Sequence, residues 1–215
     1  MRWGAGVSNA GCHTSIPATR LLCSWRRLGS PGSIRGETLA ILIGLLAATG
    51  LRVSEALGVE LQDVTAEGLV IRETKFRKSR LVPLHPSARA ALDGYIRRCR
   101  LIRGAGNALF LNDHARQPSY VTLYALFLRI GRETGIRGLP GEKGPRLHDL
   151  RHTFAVRSLE ACGGDRRAIS RHMLALATYL GHADPSHTWW YLQATPALMR
   201  HIADAGEALM AEGTA

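Results

Sequence analysis

The stretch ETLAILIGLLAATG, residues 37–50, constrains the fold more than any other part of the chain. Its side chains are apolar on nearly every side, so a helix built from it has no face to offer water. Such a helix must lie inside a domain with other elements on several flanks. It is expected to end at Gly50, because glycine most readily takes the left-handed conformation that closes a helix. The run is too short to cross a bilayer. A second, short helix, LRVSEALGV, follows at once.

The rest of the chain supplies what surrounds that helix. GLVIRETKFRKSRLVPLH reads as two strands, Leu69–Glu73 and Arg80–Leu84, joined by a cationic turn, with Pro83 marking an edge or an end. HPSARAALDGYIRRCRLI sets Ala88, Ala91, Leu92, Tyr95, Ile96, Cys99 and Ile102 on one helical stripe. SYVTLYALFLRIGRETG predicts a helix with Leu123, Phe127 and Ile130 inward and Pro118 just before its start. LHDLRHTFAVRSLEACGG predicts another, with Leu150, Phe154 and Leu159 on its core side, and RAISRHMLALATYLGH a third. A short helix carrying TWWYL and a final ALMRHIADAGEALM complete the reading. The expected class is mainly α with one small antiparallel β-sheet (α+β). Residues 1–33, rich in Gly, Ser and Arg and without period, read as a poorly ordered leader. Residues 34–203 read as one domain and 204–215 as the end of the last helix and a tail.

Charge narrows the partners. With 28 Lys and Arg against 17 Asp and Glu the net charge is +11, which favours a polyanion, nucleic acid above all. Cys12, Cys23, Cys99 and Cys162 are scattered without metal-ligand spacing and read as reduced thiols in a cytoplasmic protein. No signal peptide is legible, and no membrane association is expected.

The chemistry concentrates in RLHDLRHTFAV. On a helix His148 and Arg151 share a face, and His148 and His152 stand four apart with Asp149 between them. The second spacing is similar to the H-E-x-x-H of zinc hydrolases, for which His182 would be the third ligand. Arg151 opposes that reading, since a fixed cation beside a zinc ion is repelled. The first spacing suits a phosphate, which a guanidinium fork holds while an imidazole adds a hydrogen bond. Arg52 with Glu55 three residues on, Lys75 in TKFRKSR, and Tyr191 nine residues after His182 are further candidates. Singly, each reads equally well as a surface ion pair, a solvated loop cation or a packing aromatic.

Taken in order, Arg52, Lys75, His148, Arg151, His182 and Tyr191 resemble the catalytic signature of the tyrosine recombinases, the phage-integrase family. TGLRVSEAL resembles the first arginine box, KFRKSRLVPL the hairpin lysine, HDLRHTFA the H-x-x-R box, and LGH followed by Tyr191 the last segment. The ending TWWYLQATP resembles integrases of transposons and plasmids. The resemblance spans residues 36–200 and implies the catalytic-domain architecture of that family. It implies Tyr191 as nucleophile, Arg52 and Arg151 on the scissile phosphate, and His182 as a further donor. It gives Lys75 as general acid and His148 as proton acceptor, with Glu55 and His152 supporting from behind. Arg77, Lys78 and Arg80 would follow the backbone of double-stranded DNA. No metal or other cofactor is implied, and self-association as a dimer or tetramer on DNA is.

Members usually carry an N-terminal helical domain that clamps the far side of the DNA, and the 35 or so residues before the first helix are too few for it. Three readings follow: a strand-exchanging recombinase or integrase, a type IB topoisomerase-like nicking and resealing enzyme, or a catalytically idle DNA-binding remnant with weak affinity.

Overall fold

A computed structural model of the chain describes residues 34–72, 79–100, 106–139, 141–142, 144–162 and 166–182. Lys75, Arg77, Lys78 and Tyr191 lie outside the described residues, as do the expected leader, the TWWYL helix and the terminal helix. Six α-helices, a one-turn 3-10 helix at Leu61–Asp63 and a two-stranded antiparallel sheet make up the regular structure of the described residues. In chain order the α-helices and strands are α1 (Ile34–Thr49), α2 (Val53–Leu57), β1 (Leu69–Ile71), β2 (Arg80–Val82), α3 (Pro86–Arg100), α4 (Tyr120–Glu133), α5 (Leu147–Glu160) and α6 (Arg166–Leu180). No described helix is long and apolar enough to cross a membrane.

The uniformly apolar helix is central. α1 packs against α3 on one flank and α5 on another, with α2 at its end, and Leu42, Ile43 and Leu46 are almost fully buried. Two polar residues of α1, Thr38 and Thr49, are buried in that packing, and Thr49 donates from Oγ1 to Leu45 O at 2.7 Å. Thr38 donates from Oγ1 to the Leu111 carbonyl at 2.7 Å, so the Tyr95 hydroxyl, 2.8 Å away, donates to Thr38. The Leu111 N–H returns to the Tyr95 oxygen at 3.0 Å. The three residues form a closed circuit, and burial pushes the Tyr95 phenol well above its ordinary pKa.

α1 stops where expected. Gly50 takes φ +62° and its N–H reaches Leu46 O at 2.9 Å. Glycine is required twice over, because a Cβ here would meet Phe154 Cδ1 at 2.6 Å. α6 ends in the same manner. Gly181, at φ +69°, donates to Thr178 O and His182 donates to Ala177 O, the paired bonds of a Schellman motif.

Three expectations are adjusted by packing. The strands are shorter than the sequence reading, pairing Leu69 with Val82 and Ile71 with Arg80, since Pro83 cannot extend the ladder. On α3, Leu92, Tyr95 and Cys99 are buried but Ala91 is exposed. Ala88 and Ala91 instead face an open groove against Ala40, Ile41 and Gly44 of α1. On α5, Leu150 and Leu159 are buried as expected, whereas Phe154 is half-buried and stacks on Tyr179 of α6 with ring centroids 5.6 Å apart. α4 follows its predicted pattern, with Leu123, Phe127 and Ile130 buried and Ser119 accepting from the Thr122 N–H at its start.

Candidate active site

Two helix C-termini define the site. α1 ends at Gly50 and α6 at Gly181, and the buried guanidinium of Arg151 joins them. Its Nη1 donates to Gly50 O at 2.7 Å and its Nη2 to Leu180 O at 2.8 Å. Each helix end carries roughly half a negative charge from its aligned peptide dipoles, which offsets the cost of burying the cation. Arg151 is only 2% exposed. It therefore forms the base of the site.

Arg52 enters from the turn that Gly50 makes possible. It is the residue before α2, in extended conformation, with its side chain 37% exposed. Its Nη1 donates to Glu55 Oε1 at 2.8 Å, and its backbone N–H donates to Glu55 Oε2 at 3.0 Å. A cleft of about 790 Å³ opens beside this pair and runs past Glu60 and Asp63 to Arg72 at the end of β1.

His148 lies in the first turn of α5, exposed at its surface. Loss of solvation and the cations of Arg151, Arg146 and Arg52 hold its imidazole below the ordinary histidine pKa, against a smaller opposing pull from Asp149. Arg52 and His148 are thus close enough to sense each other although 96 residues separate them in sequence (148 − 52). At neutral pH His148 is an uncharged group able to accept a proton. Asp149 accepts the Arg146 N–H at 2.9 Å and so caps α5. His152 is buried in the same helix. Among the described residues no group of three His, Cys, Asp or Glu side chains is placed to hold a metal ion.

His182 is delivered by the α6 turn, directly after Gly181 and two residues beyond the carbonyl that Arg151 binds. Arg52, His148, Arg151 and His182, with Glu55 behind them, are therefore gathered around the two joined helix ends. This cluster presents net positive charge and suits a phosphodiester.

Arg80 departs from its expectation as a DNA-backbone contact. Its side chain is 13% exposed and turned inward. Nη2 and Nη1 grip Glu55 Oε2 and Oε1 at 2.8 and 3.2 Å, and Nε donates to Tyr179 O at 2.9 Å. The physical reason is strand alternation: Arg80 shares a face with Val82, which is fully buried. That signal was present in SRLV. Together Arg80 and Arg52 outweigh the effect of burial on Glu55, which alone would raise its pKa, and hold the carboxyl below the ordinary value. Glu55 is ionised and serves two arginines at once.

The chain is similar to known proteins. A profile of the phage integrase family matches residues 30–197. A protein of Sinorhizobium fredii named as an integrase/recombinase, y4rB, is 38% identical over 172 residues, covering 78% of this chain and 55% of the relative. The tyrosine recombinase XerD of Halalkalibacterium halodurans is 31% identical over 176 residues, covering 80% and 54%. The chain thus spans about half the length of the curated relatives it matches. Among solved structures, the XerH site-specific recombinase bound to a palindromic difH substrate superposes with a TM-score of 0.70 at 22% identity, covering 94% of this chain and 57% of that one.

Proposed function

Because the chain belongs to the phage integrase family, we propose that it is the catalytic part of a site-specific DNA recombinase or integrase acting in the cytoplasm. On this reading residues 34–203 form the catalytic domain and cut and rejoin DNA through a 3′-phosphotyrosyl intermediate. The observation that carries it is the convergence of Arg52, Arg151 and neutral His148 on the joined ends of α1 and α6.

In the proposed step the Tyr191 hydroxyl oxygen forms a bond to the scissile phosphorus and the bond to the 5′ oxygen breaks. His148, held neutral, takes the phenolic proton, and Lys75 protonates the leaving 5′ oxygen. Arg52 and Arg151 offset the charge that develops on the non-bridging oxygens, and His182 adds a hydrogen bond there. Their donors are already oriented by helix ends and by Glu55, so little reorganisation accompanies the reaction. Attack by a 5′ hydroxyl of the same or another strand restores the phosphodiester. One ester replaces another, so the cycle needs no ATP. Double-stranded DNA is the partner, with Arg77 and Lys78 as candidate backbone contacts, and strand exchange calls for two or four copies assembled on it. The TWWYLQATP segment supports a mobile-element integrase.

The test is a covalent protein–DNA adduct on nicked duplexes from the ends of the element that carries the gene. The expected result is an adduct from the wild type that vanishes in Tyr191→Phe. DNA binding with no adduct from either protein would leave an idle binding module. An adduct accompanied by supercoil relaxation but no joint molecules would point to nicking and resealing alone.

A further inference from the structure

Resting on the strand-transfer reading, we propose that Arg80 is a positioning residue that ties the two halves of the site together. One half is Arg52 with Glu55 on α2, and the other is the turn from α6 into His182. Arg80 touches both. Its Nη1 and Nη2 hold the two oxygens of Glu55, and its Nε holds Tyr179 O in the last turn of α6. The guanidinium crosses Gly181 so closely that a Cβ there would lie 2.7 Å from Arg80 Nη1. Glycine at 181 thus serves the left-handed turn and leaves room for the arginine.

The consequence is geometric. Glu55 Oε1 receives Arg52 Nη1 at 2.8 Å and Arg80 Nη1 at 3.2 Å, so the orientation of the carboxylate that Arg80 fixes also fixes where Arg52 points. The same guanidinium holds the α6 terminus from which His182 emerges. Arg80 commits three of its five guanidinium N–H donors to protein partners, two of them in a bidentate carboxylate pair, the stronger kind of charge-assisted contact, and its side chain is only 13% exposed. Arg80 therefore acts on the reacting phosphate through Arg52 and His182. It also anchors β2 just after the segment that contains Lys75.

Single-turnover cleavage by the full chain on nicked duplexes from the element ends, with protein in excess, separates this role from its rivals. For Arg80→Gln the expected result is a rate constant about ten- to a hundredfold lower, the scale of a small misplacement of catalytic groups. DNA affinity and its salt dependence should be unchanged. Arg80→Lys, which keeps the cation and one donor direction, should recover part of the rate. Glu55→Gln should slow cleavage as well, and the double variant should be no slower than the worse single one, because both act through one contact. A purely structural loss would reduce the fraction of protein that cleaves and leave the rate constant of the remainder intact, which overturns the proposal. So would weaker binding with a salt slope about one unit shallower and unchanged cleavage of bound DNA, the mark of a phosphate contact. If wild type itself forms no adduct, the strand-transfer reading fails, and the Arg80 role falls with it. If wild type cleaves and Arg80→Gln cleaves equally fast, only the Arg80 role fails.

Discussion

Two polar networks flank the central helix, and they are built on opposite plans. Near the start of α1, Thr38, Tyr95 and Leu111 exchange hydrogen bonds in a neutral ring whose members satisfy one another. At the far end, Arg151, Arg52, Glu55 and Arg80 form an assembly in which one carboxylate is shared between two guanidinia and a third guanidinium is held by carbonyls. The ring is balanced within itself. The second assembly has surplus positive charge, and its compensation must come from outside. A balanced network fixes one packing and asks for no ligand, whereas an unbalanced one is a site waiting for an anion.

The comparison breaks most visibly at Arg151. Arg151→Gln should slow DNA cleavage by about a hundred- to a thousandfold, the scale of losing one preorganised donor to a developing negative charge. It should also lower stability by roughly 1–3 kcal/mol, because the Gly50 and Leu180 carbonyls are left facing a poor substitute. Arg52→Ala should give a similar kinetic loss with little change in melting temperature, since its guanidinium is more exposed and its backbone N–H still caps through Glu55. Equal melting losses for the two variants would show that burial does not separate their roles.

At the joint between the two plans, Gly50→Ala should destabilise by about 1–3 kcal/mol from crowding against Phe154, with further cost from the left-handed backbone. Chemical denaturation reads this directly, and a neutral result would mean that α5 can retreat from α1. The balanced ring gives the mirror image. Tyr95→Phe should cost roughly 1–3 kcal/mol by stranding the Leu111 N–H, while single-turnover cleavage stays at the wild-type rate. A cleavage defect there would mean that the two networks communicate through α1.

The smallest effect is in pH, and its sign follows from the carboxylate and the imidazole. Glu55 is held below its ordinary pKa in the fold, so its stabilisation is present above the unfolded value and is lost as pH falls through the folded one. His148 also titrates below its ordinary value in the fold, so on acidification the unfolded chain takes that proton first, again weakening the fold. Acid should therefore lower the melting temperature, and Glu55→Gln should flatten the steeper, more acidic part of that curve. Cleavage should hold its rate to a pH below the usual histidine range and then fall. Loss of that acid limb in His148→Gln would identify the group, and its persistence would assign the proton acceptor elsewhere.

Much of this was legible in the sequence. An apolar run with no wet face dictated a central helix, and Gly50 dictated its end, because both depend on side-chain chemistry along a few consecutive residues. The spacing of His148 and Arg151 on one helix is likewise local. The sequence also carried the alternation that turns Arg80 inward beside Val82, but whether an inward arginine finds a carboxylate depends on which helix lies opposite. Only the tertiary structure decided that Glu55 would be that partner, that two helix ends would meet on Arg151, and that Ala91 would face an open groove. Those outcomes are contacts between residues 25 to 101 positions apart, set by packing and charge balance that no single segment contains.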